Sequence, residues 1–178
     1  IDFVGKGGGL VALHNSCAGS HNNPKFIEFI GGQFDRHGKG WFTARHVREQ
    51  QDHPVLRNVP EFEVFDETYV HKNLSEDRTV LMIRDEKGRP EPWTWVRKHG
   101  KGRVFYSAYG HDIRVWENFD FQKLVTAATL WVARKQETLD PRIPNFTYLP
   151  DTNSWFHNYE KRRNQLIQQQ LKPKESLH

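Results

Sequence analysis

Four short polar clusters in this 178-residue chain carry groups able to move protons: His14-Asn15, Asp35-Arg36-His37, Asp66-Glu67-Thr68-Tyr69 and Gly110-His111-Asp112. An imidazole titrates near neutrality and serves as acid or base, and a carboxylate beside it shares the proton. The same groups are ligands that a divalent metal such as zinc takes in tetrahedral geometry, so His14, His37, Glu67 and His111 are the candidate set if a metal is bound. Their spread along the chain matches no compact metal motif. For any one of them alone, ordinary loop hydrogen bonding is the simpler role; convergence of all four is what would make a site.

Each cluster follows a predicted strand or strand-like run. Strands ending in His, His, Glu and His would bring several groups to one crevice, because ligands in open parallel sheets bind outside the carboxyl ends of the strands. The organising run is Gly7-Gly8-Gly9-Leu10-Val11-Ala12-Leu13-His14: four apolar residues between glycines and a polar loop read as a short strand buried on both faces, as in a parallel sheet covered by helices. Before it, Ile1 to Lys6 looks like the last turn of a helix, so neighbours of this strand are expected from an upstream segment or from another chain. After it, Pro24 opens a short helix that Gly31-Gly32 ends. Phe62 to Phe65 reads as a strand delivering Asp66 to Tyr69 at its end, and Val80 to Ile83 as a buried strand. Trp93 to Lys98 and Arg103 to Tyr109 form two β runs joined by the glycine-bearing turn His99 to Gly102. The strongest helix signal is Phe119 to Arg134, with apolar residues at three- and four-residue spacing.

Residues 1–135 therefore form one α/β domain. Residues 136–178 read as an extended linker or docking tail, with three prolines between Leu139 and Asn153 and a short polar helix between Asn158 and Leu171. The formal charge is +4 and the basic residues are interleaved with acids, so no nucleic-acid partner is expected. No apolar run approaches the ~20 residues of a membrane span. Cys17 is the single cysteine. It excludes an internal disulfide and sites built from several thiolates, and it lies in a loop without a nucleophile-elbow motif. Of the aromatic residues, Tyr69 and Trp116 lie beside the polar clusters, and an aromatic face next to polar groups suits a sugar ring.

With these stretches in view, the sequence resembles the ThuA-like, or trehalose-utilisation, family. The matching pieces are GGGLVALH (Gly7 to His14), GGQFDRH (Gly31 to His37), HPV (His53 to Val55), DETY (Asp66 to Tyr69), WVRKHGKGRVFYSAYGHD (Trp95 to Asp112) and LWVA (Leu130 to Ala133). The resemblance covers about residues 3–135, and GKGRVFY with its following GH is the most specific part. It implies a flavodoxin-like three-layer sandwich with a mostly parallel sheet, of the class I glutamine amidotransferase-like type, lacking its first strands. It implies no amidotransferase chemistry, since the place of that superfamily's elbow cysteine corresponds to His14. The family is linked to bacterial carbohydrate metabolism, notably of oxidised (3-keto) disaccharides, and its recurrent polar positions map onto His14, His37, Glu67, Tyr69 and His111. The tail resembles the linker that joins some multidomain relatives to a downstream domain, which implies a periplasmic or secreted protein.

Two readings follow. In the first, the protein is a lyase- or hydrolase-type enzyme on a sugar or keto-sugar, with Glu67 as base and His14 or His111 as acid or oxyanion-stabilising partner. Asn15, His37, Tyr69 and Trp116 then contact the substrate, with metal assistance if zinc is bound. In the second, the domain is a non-catalytic amidotransferase-like module that binds a sugar or a partner protein within a larger assembly.

Overall fold

A computed structural model of the chain describes residues 1–19 and 22–134. The expectations for the tail at 136–178, and for a boundary at 135, lie outside those residues. Eleven elements follow in chain order: α1 (Asp2–Gly5), β1 (Gly9–Leu13), α2 (Pro24–Ile30), β2 (Gln33–Thr43), β3 (Arg45–His46), β4 (Glu63–Lys72), β5 (Thr79–Glu86), β6 (Arg89–His99), β7 (Gly102–Ser107), α3 (Ile113–Trp116) and α4 (Phe119–Val132).

The strands form a five-stranded sheet in the order β1-β7-β6-β5-β3 and a separate ribbon of β2 with β4. Among the described residues only β1 and β7 pair in parallel, and every other pairing is antiparallel. The expectation of a mostly parallel sheet is therefore corrected: the fold is α/β with a mixed, mainly antiparallel sheet. The reason is local. Lys87 and Gly88 both adopt positive φ (53° and 81°), the geometry of a tight hairpin turn that matches the twist of its flanking strands. This turn joins β5 to β6, and the turn at Gly100 joins β6 to β7, so three successive strands meander where a parallel sheet would need crossovers.

Helix ends are set by their caps. The Asn23 side chain accepts from the Phe26 amide, Pro24 takes the first helical position, and Gly31 closes α2 in the left-handed region. For α4 the Asn118 side-chain oxygen Oδ1 accepts from the Asp120 and Phe121 amides. Its buried face, Phe121, Leu124, Ala128, Trp131 and Val132, is the one the apolar spacing predicts. The helix lies so close to β1 that a Cβ on Gly9 would come within 2.6 Å of the Val132 Cβ. The core is aromatic: Trp93, Trp95, Phe105, Tyr106, Tyr109 and Phe121 are fully buried. Trp95 lies across Tyr106 at 4.1 Å between ring centroids and donates its indole N–H to the Ile30 carbonyl at 2.9 Å. This rigid centre supports the rim where β1 and β7 end.

Candidate active site

His14 is the residue that leaves β1. Its φ of +42° turns the chain sharply into a single 3-10 turn, His14–Cys17. Non-glycine residues rarely adopt this conformation, so surrounding bonds must hold it. Ser16 supplies one set, its hydroxyl accepting from the Leu13 amide and donating to the Leu13 carbonyl. The imidazole supplies another, with Nδ1 3.0 Å from the Ala108 carbonyl oxygen just past β7. A carbonyl only accepts, so Nδ1 carries a proton and Nε2 is left as the atom that gains or loses one. Nε2 lies 3.4 Å from Glu67 Oε2.

Glu67 stands in the middle of β4 and not at a strand end, as do Asp66 and Tyr69. Residues 63 to 72 continue as one strand because β2 runs antiparallel beside them for the whole length. On a strand, residues two apart share a face, so Glu67 and Tyr69 project together. The Tyr69 ring packs under the His14 imidazole at 4.2 Å between centroids. Burial pushes the Tyr69 phenol well above its ordinary value, so it stays protonated.

His37 comes from β2, opposite Tyr69. It too is mid-strand, and a β-bulge between Phe34 and Arg36 brings it in. Phe34 and His37 are three apart and would face opposite ways on a regular strand; the extra residue returns both to one face. The Phe34 and His37 rings accordingly lie 4.5 and 6.1 Å from the Tyr69 ring. His37 Nδ1 lies 3.1 Å from the Gly38 carbonyl oxygen and 3.6 Å from Glu67 Oε1.

His111 follows β7, and Asp66 holds its loop. The Asp66 carboxylate is fully buried and accepts the amides of Gly110 (2.8 Å), His111 (3.2 Å) and Asp112 (2.9 Å). Burial pushes this carboxyl above its ordinary value, and the amide donors pull it back toward the charged form. Gly110 has φ of +126°, and a Cβ there would meet both the Trp116 ring at 3.5 Å and His14 Cβ at 3.7 Å. Those contacts are ordinary in length, and it is the positive φ that calls for glycine here. The loop sets His111 Nε2 at 3.3 Å from Glu67 Oε1, with the His14 and His111 rings 5.4 Å apart. Trp116 donates its indole N–H to the Gly110 carbonyl and stays 44% exposed beside the group.

His14, His37, Glu67 and His111 therefore meet around one carboxylate, with Tyr69 beneath and Trp116 at the margin. Asn15 is exposed on the turn, and the interactions that define the group do not include it. Cys17 is buried with its thiol pushed up to about 11, an environment that keeps it a neutral S–H. His14, His37, Glu67 and His111 are the residues that would hold a divalent metal such as zinc if one is bound. Among the described residues, however, no group of three or more His, Cys, Asp or Glu side chains is arranged to hold a metal ion. Two of the imidazoles place Nδ1 within hydrogen-bond distance of a carbonyl oxygen. Sequence reasoning missed the bulge at Asp35, the loop-holding role of Asp66, and His71. The last was legible, since His71 lies two residues beyond Tyr69 on the same strand face.

The fold and the imidazoles around Glu67 define an α/β protein whose single cysteine is buried. The chain matches the family described as trehalose utilisation (ThuA) over residues 1–132, and it belongs to that family. Among solved structures it is similar to a ThuA-like protein from Bacteroides uniformis, with TM-score 0.64 and 22% identity over 77% of this chain and 63% of that one. A ThuA-like protein from Parabacteroides merdae gives TM-score 0.62 and 17% identity over 74% and 62%. A cold-adapted β-galactosidase from Rahnella shares the fold at TM-score 0.55 and 17% identity, over 75% of this chain and 20% of that enzyme. The chain thus spans less than two thirds of the length of these structures. Comparison with curated proteins gave no match. No helix among the described residues is long and apolar enough to cross a membrane.

Proposed function

We propose that the protein acts on a sugar or keto-sugar, of the oxidised disaccharide kind, by acid/base catalysis centred on Glu67. The observation that carries this reading is a single carboxylate, 14% exposed, approached within 3.3–3.6 Å by imidazole nitrogens from three separate parts of the chain. Family membership supports carbohydrate utilisation in the broad sense. The centre supplies both halves of a proton transfer, since a carboxylate accepts and a protonated imidazole donates.

In a keto-sugar the hydrogen on the carbon next to the carbonyl is acidic. Glu67 takes that proton, and His14 or His111 donates from Nε2 to the carbonyl oxygen where negative charge builds. If the glycosidic oxygen sits on the neighbouring carbon, return of the electron pair expels it, and an imidazolium proton completes the leaving alcohol. Trp116 offers its exposed face to a sugar ring, and Tyr69 keeps a protonated phenol beside the pair. His37 is 44% exposed in its side chain and contacts the substrate at the outer side.

The test is a screen of 3-keto-disaccharides with the full chain, following substrate loss and product by chromatography. Conversion of at least one supports the enzyme reading. Binding without conversion across the screen supports the sugar-binding module, and neither binding nor conversion defeats both.

A further inference from the structure

The strand that carries His37 presents its side chains on one face only. From His37 to Trp41 the residues run His, Gly, Lys, Gly, Trp, and on a strand alternate residues point to opposite sides. The two glycines leave one face of this stretch bare, and His37, Lys39 and Trp41 share the other. Crowding does not account for both glycines. A Cβ on Gly38 would come within 2.8 Å of the Thr68 hydroxyl, but one on Gly40 would meet nothing within 4 Å. Pairing with β4 decides which face is furnished: His37 stands opposite Tyr69, Lys39 opposite Glu67 and Trp41 opposite Phe65. Directly opposed residues project to the same side. The proposed chemistry uses His37, Glu67 and Tyr69 on this face and leaves Lys39 and Trp41 unassigned.

Trp41 is the diagonal neighbour of Glu67, a separation of roughly 7–8 Å on an antiparallel pair. Its ring meets Phe65 edge to face, with centroids 5.6 Å apart at 71°. Phe65 is itself packed by the Arg114 guanidinium at 4.1 Å, and Arg114 is tied to Asp112 by two bonds of 2.7 Å. The indole therefore leans on a fixed support, which limits the rotamers it would lose on binding a ligand. Lys39 places its ammonium 5.4 Å from the centroid of the same Phe65 ring. Exposure of tryptophan is also selective. Among the described tryptophans, Trp93, Trp95 and Trp131 are buried, while Trp41 at 37% and Trp116 at 44% are exposed. Both exposed rings belong to the surroundings of Glu67, one on the ribbon and one after the His111 loop.

We propose that Trp41 and Lys39 form a second sugar subsite, in which the indole takes the further ring of a disaccharide and the Lys39 ammonium donates to that ring's hydroxyl oxygens. A sugar ring offers C–H groups to an aromatic face and oxygens to an ammonium that only donates. The inference rests on the reading of the Glu67 centre as a sugar site and assigns the side on which the second ring lies. Substrate length is then read by β2, one residue pair away from the reacting ring.

The test compares the full chain with Trp41→Ala on two probes, 3-keto-trehalose and methyl 3-keto-glucoside, the second of which lacks the further ring. Where the wild type converts them, Trp41→Ala raises KM for the disaccharide about tenfold at little-changed kcat, and both constants for the glucoside stay as they were. Lys39→Met keeps the stem and loses the ammonium; it gives the same pattern more weakly and carries the test if Trp41→Ala does not fold. Where nothing is converted, the indole N–H signals of the 15N-labelled chain are followed while each probe is added. The signal of Trp41, assigned by its loss in Trp41→Phe, moves with the disaccharide and not with the glucoside. A folded Trp41→Ala protein with the wild-type KM for the disaccharide, an equal loss on both probes, or a Trp41 signal that neither probe moves overturns the proposal. Absence of conversion with a Trp41 signal that answers the disaccharide alone would instead remove the enzyme reading and leave the second subsite standing.

Discussion

Replacing Asp66 by Asn tests how the site is held together without touching Glu67 or an imidazole. One carboxylate oxygen takes the His111 and Asp112 amides and the other takes Gly110. Asn keeps one accepting oxygen, so two bonds survive in neutral form. Its amino group must then face the Gly110 N–H, donor against donor, in a fully buried place. Losing a bond to a charged acceptor costs about 1.5–3 kcal/mol and an unmatched buried donor about 1–3 kcal/mol. The relief of no longer burying a charge, the same burial that raises the Asp66 carboxyl, offsets part of this. We expect a net loss of about 3 kcal/mol, a large share of the ~5–15 kcal/mol of a typical domain. Urea unfolding followed by tryptophan fluorescence should show the midpoint falling by about 1–2 M, for a slope near 2 kcal/mol/M. Hydrogen exchange should quicken first at Gly110, His111 and Asp112. A loss under about 0.5 kcal/mol, or exchange that quickens evenly through the chain, would refute the view that Asp66 holds the His111 loop.

Further outcomes follow from the same geometry. Cys17, buried and with its thiol at about 11, should react with iodoacetamide at pH 7.5 only on unfolding; rapid alkylation of the native chain would contradict its placement. The paired bonds from Arg114 hold the Asp112 carboxyl below its ordinary value. Its folded form favours the charged state, so the stabilisation is complete above the unfolded value of about 3.9 and fades as pH falls through the folded value. Asp112→Asn should therefore be less stable than wild type at pH 7 and indistinguishable from it at the acid end. A pH-independent gap would show that charge is not the cause. Trp116→Ala should raise KM for a disaccharide with kcat little changed, and an unaltered KM would remove the ring from the binding surface.

Much of the scaffold was legible where a local rule governs. Asn23-Pro24 and Gly31 mark both ends of α2, the spacing of Phe121, Leu124, Ala128 and Trp131 gives the buried face of α4, and His99 to Gly102 announces the β6–β7 hairpin. The strand Gly9–Leu13 was readable as well, but its parallel character could not be extended to the sheet. The Lys87-Gly88 turn is set by backbone angles that the sequence shows only weakly. The β2–β4 ribbon was the hardest part. Gln33 to Gly38 is polar and mostly exposed, so it reads as loop until β4 pairs with it, and Asp66 to Tyr69 was placed at a strand end for the same reason. The grouping of His14, His37, Glu67 and His111 was anticipated by residue type, while the means of grouping was not: two of the four arrive on strand faces through a bulge and a register, which are long-range properties of the pairing.

Turnover by Glu67→Gln is the sharpest measurement, because Gln keeps the size and place of the side chain and removes only its ability to take a proton. With the wild-type chain converting a 3-keto-disaccharide, the variant should bind the sugar and melt as the wild type does while kcat drops by about 10²–10⁴, the usual worth of a positioned base. Wild-type kcat in a folded Glu67→Gln protein would contradict the proposal that this carboxylate is the reacting base.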